Sequence, residues 1–335
     1  MKAIKVAAVQ AAPIFLDLNR SIDKAEQLIT EAARNGAKII AFPETWLPGY
    51  PWFVWLSSPA EAMQFFAPYH HNSMDVNSEQ MNRLQAIAQR NDIFINMGFS
   101  ERENGTRYMS QAMISNEGDL LQVRRKLKPT FAERMVFGEG DGSDLEVVNT
   151  SIGRIGALNC WEHAQPLVRM AMHAQGEDIH VAAWPSFCLY RDMAYALGPE
   201  VNNSFSRTYA VEGSCYVLAP CATVSQEMFD IMAQTPEKAH LLNPRTSKPG
   251  GGYAMIYAPD GREMCEPLAD DEEGILYADL DPVLIDMAKV AADPRGHYAR
   301  PDVLRLVLNK EKRSVMSELN SAEEASIVRP FEVEE

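Results

Sequence analysis

The chain has 335 residues, 46% hydrophobic and 23% charged, with 19 Gly and 20 Pro scattered along it. That profile excludes wholesale disorder and fibrous repeats. With 31 Lys and Arg against 46 Asp and Glu, the formal net charge is −15, so phosphate backbones and anionic headgroups are repelled and neither nucleic acid nor a membrane is expected as a partner.

Ile4–Gln10 is a short apolar run, read as a strand, and residues 17–33 set Ile22, Ala25, Leu28, Ile29 and Ala32 at helical spacing before Gly36. Residues 38–42 form a second buried strand stopped by Pro43, which leaves Glu44 where a strand runs into a loop. Strand ends of α/β sheets are where sites collect. Residues 48–68 read as irregular and aromatic-rich, 78–90 as helix and 92–100 as strand. Residues 108–115 and 120–127 predict a hairpin about Asn116-Glu117-Gly118-Asp119, ending near Lys126. A second hairpin-like pair, 145–149 with 154–159, ends at Cys160.

Helix 165–175, strand 179–184, helix 200–213 and strand 215–220 follow, then a pair, 252–257 with 262–266, flanking Asp260-Gly261, and strand 275–280 before helix 282–292. Helices alternating with hairpins and single strands predict one layered α/β domain with mixed sheets over residues 1–310. Residues 311–335 read as an acidic tail, mobile or partner-bound, with six acids and one Arg from Ser314 onward.

The first ten residues, MKAIKVAAVQ, lack the apolar core of a signal peptide and no apolar run approaches a membrane span, so the protein is expected to be soluble and cytoplasmic. Five cysteines, Cys160, Cys188, Cys215, Cys221 and Cys265, are odd in number and form no CxxC pair, which argues against a disulfide framework or zinc knuckle. Cys160 ends a strand just before a helix; there, backbone N–H groups and a helix N-terminus lower a thiol pKa and hold an oxyanion. Taken alone, a buried inert cysteine is the commoner case. Glu44, Lys126 and Cys160 stand at three strand ends and could converge. Equally, Glu44 could be a solvated loop carboxylate, and Lys126 one charge on a solvated face with Arg124, Arg125 and Lys128. Spacing does not decide between them.

Three blocks do bear on it. Ala41-Phe42-Pro43-Glu44-Thr45, Arg124-Arg125-Lys126-Leu127-Lys128-Pro129-Thr130 and Leu158-Asn159-Cys160-Trp161-Glu162-His163 resemble the three motif blocks of the nitrilase (carbon-nitrogen hydrolase) superfamily, in its order and at its approximate separations. Leu47-Pro48-Gly49-Tyr50-Pro51, Trp184-Pro185-Ser186-Phe187, Gly250-Gly251-Gly252-Tyr253 and the stretch from Gly296 to Val303 resemble its nitrilase branch, so the likeness runs from about Lys5 to Val303. The resemblance implies a four-layer αββα sandwich whose subunits pair, and extend in some members into spirals or filaments. It implies Cys160 as nucleophile, Glu44 as general base, Lys126 as the cation at the reacting centre, and Glu133 orienting Lys126 or the water. Lys126 is preferred to Lys128 because the family places its lysine directly after the arginine at the strand end.

The implied reaction takes an organic nitrile and two waters to a carboxylic acid and ammonia through a cysteine thioimidate and an acyl-enzyme, with some amide by-product and no cofactor or metal. Trp161-Glu162-His163 resembles microbial arylacetonitrile- and cyanide-degrading relatives. A cyanide-hydrolysing enzyme is the nearest alternative, then an amidase or carbamoylase with the same three residues; an inactive assembling scaffold is the non-enzyme alternative. Trp46, Trp52, Trp55, Trp161 and Trp184, the five tryptophans, lie within or near these blocks. With Tyr50, Phe53 and Tyr190 they either line an apolar pocket for an aryl group or fill a core and interface. Tyr50, Trp52, Trp161, His163, Trp184 and Pro185 are the candidate substrate-binding residues. His163 beside Cys160 also suggests a peptidase dyad, but so short a separation is not where such a histidine comes from, and the family likeness makes it a supporting or substrate-positioning residue. The other histidines form no HExxH, so no metal site is expected.

Overall fold

Alternation of small and branched apolar residues along the strands sets the layers. In β1 (Ile4–Gln10), Val6 and Ala8 join one buried cluster while Ala7 and Val9 join another; in β2 (Ala37–Ala41), Ile39 and Ala41 follow the first pair and Ile40 the second. Both strands are therefore covered on both faces, as period-2 geometry requires. The computed structural model describes residues 1–316; the expectation of an acidic tail falls almost wholly outside them.

The remaining strands are β3 (Phe94–Glu103), β4 (Thr106–Ile114), β5 (Leu120–Arg125), β6 (Val148–Thr150), β7 (Gly153–Asn159), β8 (Ile179–Ala183), β9 (Tyr216–Ala219), β10 (Met255–Tyr257) and β11 (Gly274–Leu280). They form a six-stranded sheet ordered β11-β1-β2-β3-β4-β5 and a five-stranded sheet ordered β10-β9-β8-β7-β6. The predicted hairpin is present: β4 and β5 pair antiparallel with Ser110 opposite Arg125. β6 and β7 likewise pair antiparallel, Val148 opposite Ile155, and β7 runs on to Asn159, the residue before Cys160.

Helices α1 (Leu18–Arg34) and α4 (Glu79–Asn91) pack on the outer face of the first sheet. Each is started by a side-chain cap, Asp17 accepting from the Arg20 N–H and Ser78 from the Met81 N–H. Helices α5 (Pro166–His173) and α6 (Pro199–Gly213) cover the second sheet through Ala171, Met172, Tyr209 and Ala210. The two sheets meet between, giving the four-layer αββα sandwich.

Three local expectations fail. Residues 48–68 are not irregular: they contain α2 (Phe53–Leu56) and most of α3 (Pro59–Asn72). Pro59 sits at the first helical position behind a Ser58 cap, where a missing N–H costs nothing, and so starts the helix. Helices α7 (Gln226–Met232) and α8 (Pro236–Leu242), capped by Ser225 and Thr235, fall in a stretch given no element. The pair 252–257 with 262–266 shrinks to β10 and one bridge, Tyr257 to Glu263; Pro267 just beyond has no N–H with which to continue a ladder. Helix α9 (Pro282–Ala292) lies where expected.

Candidate active site

Glu44, Lys126 and Cys160 follow β2, β5 and β7, and the packing of the two sheets brings these strand ends together. The Lys126 ammonium donates to Glu44 Oε1 at 2.9 Å and to Glu133 Oε2 at 2.8 Å. One carboxylate oxygen from each glutamate and the Cys160 sulfur all lie within 4.8 Å of one another. All four side chains are buried.

Each is held by its backbone. The Glu44 loop leaves β2 with the Phe42 N–H on Asn96 O and the Glu44 N–H on Trp184 O, which ties the first sheet to the second. Gly98 on β3 lets that loop pass, since a Cβ there would stand 1.9 Å from Pro43 O and 3.1 Å from Glu44 Cα. The Lys126 N–H donates to Met109 O at 2.7 Å. Glu133 sits in a 3-10 turn, Phe131–Met135, where its Oε2 takes the Thr130 N–H at 2.6 Å and its Oε1 the Tyr50 hydroxyl at 2.8 Å. Glu44 Oε2 accepts no hydrogen bond from the described residues, leaving a lone pair beside the sulfur's cluster.

Arg124 and Glu162 complete the frame. The guanidinium donates Nη2 to Oε1 at 2.7 Å and Nη1 to Oε2 at 2.9 Å; the same carboxylate takes the Leu127 N–H at 2.8 Å and the Asn159 N–H at 2.7 Å. One carboxylate thus bonds the backbone just after Lys126 and just before Cys160. Of the basic run read as a solvated face, Arg124 and Lys126 are buried, whereas Lys128 is exposed and pairs with Glu139.

Burial pushes the Glu44 carboxyl up to about 8, against the pull of Lys126. Burial alone would lower the Lys126 ammonium, but the two carboxylates outweigh it and hold the group charged. The Cys160 thiol is pushed up by burial and then by Glu44, with Lys126 and the Trp161 N–H opposing. This reverses the expected lowering. Helix α5 begins at Pro166, close to the expected 165, but Cys160–Ala164 is a 3-10 turn, so no α-helix N-terminus stands at the sulfur. Two carboxylates and a sulfur could ligate a cation, but Lys126 already bonds both carboxylates and supplies the positive charge.

A cavity of about 240 Å³ opens beside Cys160 and Glu133, its walls including Tyr50, Trp52, Trp55, Phe131, Trp161, Pro185, Phe187 and Tyr190. Tyr50, Trp52, Trp161 and Pro185 thus reach it as predicted candidates, while Glu44 and Lys126 are not among its lining residues and stand behind Cys160 and Glu133. His163 and Trp184 do not line it either: Trp184 stacks on His163, ring centroids 5.4 Å apart, and donates Nε1 to Ser206. Both are fully buried in the layer behind. Trp46 is buried in the outer core, bonded to Ala11 O, and Phe53 packs in a third cluster under α3. Asn202 was not anticipated; it accepts from Trp161 Nε1 at 3.1 Å and so fixes one cavity wall.

The family model described as carbon-nitrogen hydrolase matches residues 5–289. A nitrilase of Pseudomonas syringae pv. syringae is 50% identical over 98% of this chain and 97% of that protein. An aliphatic nitrilase of Rhodococcus rhodochrous is 45% identical over 91% of this chain and 79% of that protein. A nitrilase of Alcaligenes faecalis described as arylacetone-specific is 45% identical over 96% and 88%. Among solved structures, a carbon-nitrogen hydrolase from Helicobacter pylori superposes with a TM-score of 0.68 at 19% identity, covering 90% of this chain and 96% of that one.

Proposed function

The chain belongs to the carbon-nitrogen hydrolase family, and we propose that within it the protein is a nitrilase, taking a small organic nitrile and two waters to a carboxylic acid and ammonia. One observation carries this: a buried thiol lies within 4.8 Å of two carboxylates that share one ammonium, beside an aromatic cavity.

Cys160 is the nucleophile and Glu44 the base. Because burial keeps the thiol protonated, the S–H bond breaks as the S–C bond forms, the proton passing to the free oxygen of Glu44. Charge grows on the nitrile nitrogen, where the Trp161 N–H and the field of Lys126 oppose it. Glu44 returns its proton to that nitrogen, giving a neutral thioimidate. Water, deprotonated by Glu44, adds to the carbon; the C–N bond breaks, ammonia leaves, and a thioester remains. A second water cleaves it and restores the thiol. Glu133 holds Lys126 in place and is itself held by Tyr50 and Thr130. Loss of sulfur instead of nitrogen at the tetrahedral stage releases an amide.

The cavity is smaller than pockets for drug-sized ligands, and its aromatic walls favour an aryl or arylacetonitrile group over a long aliphatic chain. Pairing of subunits belongs to the same proposal, supported by Leu167, Val211, Met287 and Val290, apolar yet exposed on α5, α6 and α9; spirals or filaments would extend it. So do a single hydrolase domain over residues 1–310 and action in the cytoplasm; no described helix is long and apolar enough to cross a membrane. The test is ammonia release from phenylacetonitrile, benzonitrile, an aliphatic dinitrile, cyanide and phenylacetamide, with Cys160→Ala beside the unaltered protein. Nitrile turnover that vanishes in the variant supports the proposal; activity on the amide alone overturns it.

A further inference from the structure

Behind the nucleophile lies a line of buried polar groups that the reaction above does not use. His163 Nδ1 is 2.7 Å from Cys160 O, His163 Nε2 is 2.9 Å from His180 Nε2, His180 Nδ1 is 2.6 Å from Glu177 Oε1, and the Tyr209 hydroxyl donates to Glu177 Oε2 at 2.5 Å. All four side chains lie in the core. A carbonyl oxygen only accepts, so Nδ1 of His163 must carry a proton. A neutral His163 then takes a hydrogen bond at Nε2 from His180, whose own Nδ1 shares one further proton with Glu177. Burial lifts the Glu177 carboxyl to about 7 and lowers both imidazoles, which favours that proton on Glu177 and two neutral rings.

The rings have little freedom. Trp184 stacks on His163, and Tyr209 lies on His180 with centroids 3.7 Å apart and planes 24° from parallel. At the other end, Cys160 has φ +48°, a left-handed conformation uncommon for a residue with a side chain and one that persists only where the surroundings over-determine it. The peptide joining Cys160 to Trp161 is planar, and its carbonyl and N–H point to opposite sides. Fixing the oxygen on His163 therefore fixes the Trp161 N–H on the side of the Cys160 sulfur, where it favours the thiolate.

We infer that His163 is a positioning residue: donating from Nδ1 to the Cys160 carbonyl and backed by His180 and Glu177, it sets the peptide plane that aims the Trp161 N–H at the reacting centre. The inference rests on the nitrile-hydrolysing function proposed above, in which that N–H meets charge on the nitrile nitrogen.

Two arms test it. Asn and Leu have nearly the same shape, and Asn keeps a donor near the place of Nδ1. His163→Leu should lower kcat about 10- to 100-fold with KM within about threefold, the pattern of an interaction made only in the transition state, whereas His163→Asn should stay within about fivefold of the unaltered protein. Equal kcat in the two variants, at whatever level, overturns the inference. The second arm uses the unaltered sequence labelled uniformly with 13C and 15N, the His163 ring nitrogens being assigned through the residue's own backbone signals. A protonated Nδ1 on His163 is expected, and a bare Nδ1 overturns the inference even if neither variant folds. A protein that hydrolyses no nitrile would defeat the proposed function while the nitrogen spectra still decide the hydrogen bond.

Discussion

The Arg124 guanidinium meets the Glu162 carboxylate with two parallel hydrogen bonds, 2.7 and 2.9 Å long, with both groups out of solvent. The pair joins the two sheets at the ends that carry Lys126 and Cys160. Burial alone would raise the Glu162 carboxyl, but Arg124 and the Leu127 and Asn159 N–H groups hold it below the usual range.

Removing one partner leaves the other charge buried and unpaired. Arg124→Leu and Glu162→Leu should each destabilise the fold by about 3–5 kcal/mol, and the double variant by less than the sum. Urea denaturation of the three proteins measures this; additive losses would mean that the two side chains do not act as a pair.

Gly98 sets the Glu44 loop in place. A methyl group there meets Pro43 O, which is backbone and has no rotamer to change. Gly98→Ala should therefore move Glu44 and cut kcat by about 10²-fold or more, since small displacements of reacting groups are that costly. Steady-state kinetics with a far-ultraviolet dichroism control checks it; unimpaired turnover would show that the loop tolerates the shift.

Glu44 must be ionised to take the thiol proton, and burial holds its carboxyl near 8. As pH falls through that value the base gains a proton, so kcat/KM should fall on the acid side and rise as pH climbs through about 8. The carboxylates hold the Lys126 ammonium above its ordinary range, so no alkaline loss from that group is expected below about pH 10. The pH profile of kcat/KM checks this; a flat profile from pH 6 to 9 would remove Glu44 from the role.

Trp161, held by Asn202, and Tyr190 line the cavity. Trp161→Ala should enlarge it and shift kcat/KM toward bulkier nitriles by about 10-fold or more relative to phenylacetonitrile. Competition between nitriles of different size measures the ratio; an unchanged ratio would place substrate elsewhere.

The strands with clean alternation and the helices with clean 3-4 spacing were legible in the sequence, because their buried faces repeat within a few residues. Helix α3 lacked that signal, and it carries Pro59 at its start and Pro68 inside it. Arg124 had a readable signal: on a strand, residues 124 and 126 share a face that 125 does not, and the structure buries both, while Arg125 turns out to Glu101 and over the Tyr108 ring. Gly98 also had one, as a glycine inside an apolar strand marks a close backbone approach. The partners of His163 had none. His180 and Glu177 reach it only through the pairing of β7 with β8, which no local pattern encodes. Nor could spacing show that burial would raise the Cys160 thiol.

The most direct test of the chemistry is mass spectrometry of the protein quenched during turnover of phenylacetonitrile, followed by peptide mapping. The Cys160 peptide should carry a substrate-derived thioimidate or acyl group in the unaltered protein, and none in Cys160→Ala, which should release no ammonia. Ammonia from that variant at the unaltered rate, or an adduct on any residue other than Cys160, would contradict the account.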